Sequence, residues 1–453
     1  MEEELSPRGD GFPSDFIWGC STASYQIEGS TQADGRGPSI WDTFSRMPGK
    51  VSGGMTGDFA CDSYRRWKDD VELLKELGVG SYRYSVAWPR VQPEGSGRAL
   101  QAGLDYYKAL ADALSEAGIE SAVTLYHWDL PQALEDSGGW PERETALRFA
   151  EYSDIVYRAL GDRVGRWFTL NEPWCSAFLG YEFGVHAPGR KDKSEAYRAV
   201  HHLLLGHGLA VKAYRETGLR APIGLVLNTM TPRPATRRRE DAAAADRASD
   251  MSTALWLDPI YGRGYPERHL AARSVAMPIL PGDMETIAAP VDFMGLNYYS
   301  ERTVRSDTKS PEGFCEAPSW QDKTEMGWDI VPEGLYRMLK KIANRWPVKE
   351  LYVTENGAAF ADRADAGGRV RDRDRIAYLR SHIAACRRAV AEGVPLKGYF
   401  VWSIMDNFEW AHGYSMRFGL VHVDPGTGAR KPKDSYYYYR DVVAGMESRY
   451  DAP

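Results

Sequence analysis

Eight short apolar runs, each followed by a stretch of intervening sequence, recur from one end of this chain to the other, and that alternation restricts its fold more than any other feature. The runs are residues 16–22, 81–88, 120–128, 166–173, 222–228, 292–300, 350–357 and 396–406. Most are apolar on both faces, as in Ala122-Val123-Thr124-Leu125 and Tyr399-Phe400-Val401-Trp402, which marks parallel strands covered by helices. Amphipathic helical patterns occupy 64–77, 104–117, 145–160, 196–216, 334–346 and 375–392. Gly78, Gly118, Gly161, Gly218 and Gly393 end five of them, as left-handed caps would. The pattern predicts an α/β chain folded as a single (β/α)8 TIM barrel. A doubly wound sheet is the rival, but no Gly-x-Gly-x-x-Gly turn opens a helix after a strand.

A length of 453 residues suits one barrel enlarged by long loops after its strands. Segments 24–60, 174–194 and 302–325 lack helical period, and in a barrel such loops form the C-terminal face, where active sites are built. Residues 1–453 are therefore expected to form one domain, with 1–13 and 447–453 as flexible termini. The run Arg237-Arg238-Arg239 before Glu240-Asp241 reads as a solvated loop. A net charge of −7 with no face-sized block of Lys and Arg argues against a nucleic-acid partner. No run reaches the ~18–20 apolar residues of a membrane-spanning helix. The acidic start Met1-Glu2-Glu3-Glu4 and five singly spaced cysteines give the expectation of a cytoplasmic protein with reduced thiols. No cofactor and no metal are expected, because the cysteines form no Cys-x-x-Cys pair and His127 has no His partner at ligand spacing.

Polar and aromatic residues gather where the strand-like runs end. The fourth ends Asn171-Glu172-Pro173 and the seventh Thr354-Glu355-Asn356-Gly357, so each delivers one carboxyl to the mouth. Two carboxyls about 5–5.5 Å apart are what a retaining glycosidase needs. Pro173 is expected to hold Glu172 extended, and the charge of Glu355 to raise its pKa. Arg83, in Tyr82-Arg83-Tyr84, is placed to keep a carboxylate ionised. Gln26, His127, Asn171, Asn297, Tyr299 and Glu409 bring hydrogen-bonding groups to hold sugar hydroxyls, while Trp128, Trp402 and Trp410 supply faces for stacking. Trp18, Trp41, Trp67, Trp140, Trp167, Trp256 and Trp346 read as packing.

With those residues in place, the chain resembles glycoside hydrolase family 1, the β-glucosidase family. The resemblance runs from about Phe16 to about Tyr439. It rests on an ordered set: Phe16-Ile17-Trp18-Gly19 with Tyr25-Gln26-Ile27-Glu28-Gly29, Tyr126-His127-Trp128-Asp129, Leu170-Asn171-Glu172-Pro173, Asn297-Tyr298-Tyr299, Thr354-Glu355-Asn356-Gly357, and Asn407-Phe408-Glu409-Trp410. It implies hydrolysis of terminal β-D-glucosyl residues from β-glucosides and cello-oligosaccharides with retention, and leaves room for β-galactosides, β-fucosides and a homo-oligomer. Glu172 would be the acid/base and Glu355 the nucleophile, with Tyr299 bonded to it and Arg83 beneath. Gln26, His127, Asn171, Glu409 and Trp410 would line the sugar pocket, Trp402 would be its platform with Phe418 behind, and Trp402-Ser403 would be a cis peptide. Relatives acting on 6-phosphorylated sugars replace that Glu with a small residue and follow it with Lys and Tyr. Glu409, Met416 and Arg417 do not reproduce the pattern. A 6-phospho-β-glucosidase and a catalytically silent sugar-binding barrel stay as alternatives.

Overall fold

A computed structural model describes residues 11–446, 448 and 450. All eight expected strands form: β1 (Ile17–Ser21), β2 (Ser81–Ser85), β3 (Glu120–Tyr126), β4 (Val164–Asn171), β5 (Ile223–Leu227), β6 (Phe293–Asn297), β7 (Leu351–Asn356) and β8 (Leu396–Trp402). They pair in parallel and in chain order, and β8 closes on β1 to complete the barrel. Every strand is shorter at its C-terminal end than the apolar pattern suggested, although Thr22, Val86, Glu172 and Tyr298 each still donate an N–H to a neighbouring strand.

The barrel is wrapped by α1 (Ser63–Leu77), α2 (Gln101–Glu116), α3 (Arg143–Leu160), α4 (Lys193–Thr217), α5 (Arg239–Ser249), α6 (Pro332–Arg345), α7 (Arg373–Ala391) and α8 (Asp434–Val443). Gly78, Gly118, Gly218 and Gly393 take the left-handed conformation expected of caps, with φ of 77°, 74°, 77° and 81°. Gly161 instead pairs φ 53° with ψ −132°, outside the left-handed well. Arg237 and Arg238 are exposed as expected, but Arg239 opens α5. Within 302–325, Thr303–Ser306 pairs antiparallel with Phe314–Glu316. No helix among the described residues is long and apolar enough to cross a membrane.

Most of the expected flexible termini lie outside the described residues. Phe12, inside that range, is instead buried against Phe16 and Trp18, with ring centroids 4.4 and 5.1 Å away.

The barrel interior has two levels. Ala122, Phe168, Val226, Phe293, Tyr352 and Phe400, with Ile17 beside them, form an apolar floor. Arg166 lies over the rings of Tyr352 and Phe293, at 4.3 and 5.6 Å. Arg83 sits 5.3 Å over Phe168 and begins the polar mouth.

Candidate active site

Glu172 follows the end of β4 with φ 44°, in the left-handed region, so it is not held extended as Pro173 suggested. The reason is its position at a sharp turn. Its N–H still donates to Val226 O at 2.9 Å, as a strand residue would, while the chain after it enters the π-helical segment Cys175–Glu182. Such a backbone costs roughly 1–3 kcal/mol and is held by its surroundings. Glu172 Oε1 accepts Asn297 Nδ2 at 2.6 Å, and Oε2 accepts the Cys175 thiol at 3.0 Å.

Glu355 lies on β7 in register with Asn297 of β6. Its Oε1 accepts Arg83 Nη1 and its Oε2 the Tyr299 hydroxyl, both at 2.6 Å. Arg83 also donates through Nη2 to Asn171 Oδ1 at 2.7 Å and through Nε to Thr124 Oγ1 at 3.1 Å. Asn297 Nδ2 reaches the same Asn171 oxygen at 3.1 Å. One hydrogen-bonded path thus runs Glu355, Arg83, Asn171, Asn297, Glu172.

The two carboxyls are not equivalent along that path. Burial pushes both pKa values up. At Glu355 this is opposed chiefly by the Arg83 guanidinium and then by the Tyr299 hydroxyl. At Glu172 burial is the larger cause, and the negative charge of Glu355 adds to it, in the direction expected from the sequence. The pair therefore ionises first at Glu355 and keeps its remaining proton on Glu172.

Around the pair, several side chains present polar atoms that no protein group satisfies. Asn171 Nδ2 donates to His127 Nε2 at 2.9 Å, which assigns the ring proton to Nδ1, and that buried nitrogen has no protein partner. Burial, with Arg83 nearby, holds the His127 pKa well below its ordinary value, so the ring is neutral. Gln26 Nε2 is taken by Asn407 Oδ1, Phe408 O and Glu409 Oε2 at 3.1, 2.9 and 3.3 Å, leaving Gln26 Oε1 as a free buried acceptor. Glu409 is pushed up to about 8 by burial and by the charges of Glu355 and Glu172.

Aromatic rings close the site. Trp402 is 3% exposed and clusters with Ala23, Ala359 and Phe418, its ring stacked 5.8 Å from His127. The Trp402-Ser403 peptide is cis. Trp410 stacks 6.0 Å from His127 and lies 4.6 Å from Trp128. Trp128, expected as a sugar-stacking face, spends its indole N–H on Asn171 O at 2.9 Å and packs on Trp410 and His186.

A model of glycosyl hydrolase family 1 matches residues 8–447. The chain belongs to that family. It is 52% identical to β-glucosidase A of Thermotoga maritima over 434 residues, 95% of this chain and 97% of the relative. It is 44% identical to a bifunctional β-D-glucosidase/β-D-fucosidase of Bifidobacterium breve, covering 97% and 99%. The solved family 1 β-glucosidase of T. maritima superposes with a TM-score of 0.94 at 51% identity, over 96% of this chain and 99% of that one. A complex of the T. maritima enzyme with isofagomine lactam gives 0.93 at 51%, over 96% and 98%.

In this family 1 barrel every residue singled out from the sequence lies at the mouth, but Asn171 is turned mainly inward: Arg83 and Asn297 take its oxygen and His127 shares its amide. Of the tryptophans read as packing, Trp67 is only half-buried. Trp41 is buried, yet its ring lies 4.6 Å from Trp410. Sequence reasoning did not assign Thr124, Cys175, Asn228, His186, Asn407 or Trp328 a part. Trp328 sits 5.5 Å from Tyr299 and 6.2 Å from Phe418. Only Cys175 carried a readable signal, being three residues after Glu172 where the chain turns helical.

Proposed function

We propose that this protein is a retaining β-glucosidase that releases terminal glucose from β-glucosides and short cello-oligosaccharides. Residues 1–453 act as one unit, and no cofactor is needed. The observation that carries the reading is the unequal setting of the two carboxyls, one clamped by Arg83 and Tyr299, the other left to hold a proton. Glu355 attacks the anomeric carbon while the glycosidic C–O bond breaks and Glu172 passes its proton to the departing oxygen. Water then gives a proton to Glu172 and attacks the same carbon, so the ester to Glu355 breaks and β-glucose leaves.

Neutral His127 offers an N–H and Gln26 an acceptor oxygen to neighbouring sugar hydroxyls. Glu409, protonated near neutrality, can donate as well as accept. Its charge therefore does little to repel a 6-phosphate. The stronger argument against a phosphorylated substrate is that Arg417, which follows Glu409 by eight residues, turns its guanidinium to His422 Nδ1 at 3.1 Å. β-Galactosides and β-fucosides are secondary substrates, a cytoplasmic location and a part in cellulose breakdown fit the product, and a homo-oligomer is compatible with the fold. The test is a panel of aryl glycosides differing at C4 and C6, with the anomer of the first-formed sugar read by NMR. β-Glucose formed fastest from the β-glucoside supports the reading. α-Glucose first, or preference for the 6-phosphate, overturns it.

A further inference from the structure

Two side chains outside the catalytic and sugar-binding set meet Glu172 at Oε2, one of them through the other. Cys175 Sγ donates to Glu172 Oε2 at 3.0 Å, and Asn228 Nδ2, from the residue after β5, donates to that sulfur at 3.3 Å. The thiol is buried and its pKa is raised by burial and by Glu172, so it stays protonated and keeps its hydrogen for the carboxyl. The two oxygens of Glu172 therefore meet donors of different strength. Oε1 takes a short bond from the Asn297 amide, whereas Oε2 takes its bond from an S–H, an intrinsically weak donor. An oxygen that already accepts a strong hydrogen bond is the less basic of the two.

We propose that Cys175, backed by Asn228, is a positioning residue for the acid/base: it fixes the Glu172 carboxyl and, as a thiol rather than a hydroxyl, leaves Oε2 as the oxygen that carries the transferred proton. The inference rests on Glu172 being the acid/base. A thiol donating to the carboxylate favours its charged form, so losing the donor raises the pKa of Glu172, and a stronger donor lowers it.

The experiment is the pH dependence of kcat/KM on an alkyl β-glucoside for wild type, Cys175→Ser, Cys175→Ala and Asn228→Ala, with Glu172→Gln as reference. The basic limb should move down by roughly half a pH unit in Cys175→Ser and up by a similar amount in Cys175→Ala, a threefold change in acidity. Asn228→Ala should move it up by less, and decides together with Cys175→Ser if the alanine variant at 175 does not fold. Loss of kcat/KM should be greater on the alkyl glucoside than on a dinitrophenyl glucoside, whose leaving group needs no proton. Folded variants that keep the wild-type basic limb, or that lose equally on both substrates, overturn the role of Cys175. A basic limb that persists in Glu172→Gln shows instead that the acid/base assignment has failed, and the inference falls with it.

Discussion

β4 contributes Phe168 to the barrel floor and Asn171 to its mouth; β6 contributes Phe293 and Asn297, β7 Tyr352 and Glu355, β8 Phe400 and Trp402. The same strands thus build a close-packed apolar plug at one end and a polar network at the other. Two of the buried arginines, Arg166 and Arg83, show the contrast most clearly. At the floor, Arg166 lies over aromatic rings and comes no nearer than 3.6 Å to Glu120. At the mouth, Arg83 holds Glu355 at 2.6 Å and reaches Asn171 and Thr124 as well. The floor is bound by dispersion and burial, which tolerate many residue types. The mouth depends on paired charges, where removing one partner leaves the other buried and uncompensated. Stability and chemistry should therefore separate along each strand.

That separation can be broken in order of effect. Glu172→Gln should cost about 10²–10⁴-fold in kcat/KM on alkyl glucosides, remove the basic limb of the pH profile, and leave the urea midpoint within error or above wild type. A fall in midpoint with activity retained would invert the comparison. Phe400→Ala, at the floor, should cost about 3–5 kcal/mol of stability in urea unfolding while the folded fraction keeps its pH profile. Gln26→Ala should lower kcat/KM by about 10–100-fold, since it deletes one acceptor from the pocket and leaves a buried hydroxyl unpaired. A smaller effect is electrostatic. Glu409 has a folded pKa of about 8, above its unfolded value, so its stabilising contribution is complete below the unfolded pKa and is lost as pH rises through about 8. Glu409→Gln should therefore raise the unfolding midpoint relative to wild type more at pH ~9 than at pH ~5; an equal change at both would remove the burial argument.

The floor was legible in the sequence and the mouth only partly so. Runs apolar on both faces, such as 122–125 and 399–402, announce buried parallel strands directly. The same apolar rule carried the strands too far, to Trp88, Trp128 and Pro173, because the aromatic and polar residues at their ends are buried for a different reason. Trp128, Glu172 and Trp410 take φ of 79°, 44° and 46°, conformations that propensity does not foresee and that the surrounding network holds. Motif residues such as Glu172, Glu355 and Asn297 were readable by type and spacing. Thr124, Asn228 and Asn407, which bond Arg83, Cys175 and Gln26, were not, since each contact joins segments well apart in sequence that only the pairing of strands brings together.

The assignment of Glu355 as nucleophile has a direct test in Glu355→Gly, assayed on an aryl β-glucoside with and without azide. Hydrolysis should fall by on the order of 10⁴-fold or more. Azide should then fill the space of the lost carboxylate and attack the anomeric carbon as the phenol leaves, giving α-glucosyl azide. Near wild-type hydrolysis without azide, or a β-glucosyl azide product, would contradict the account.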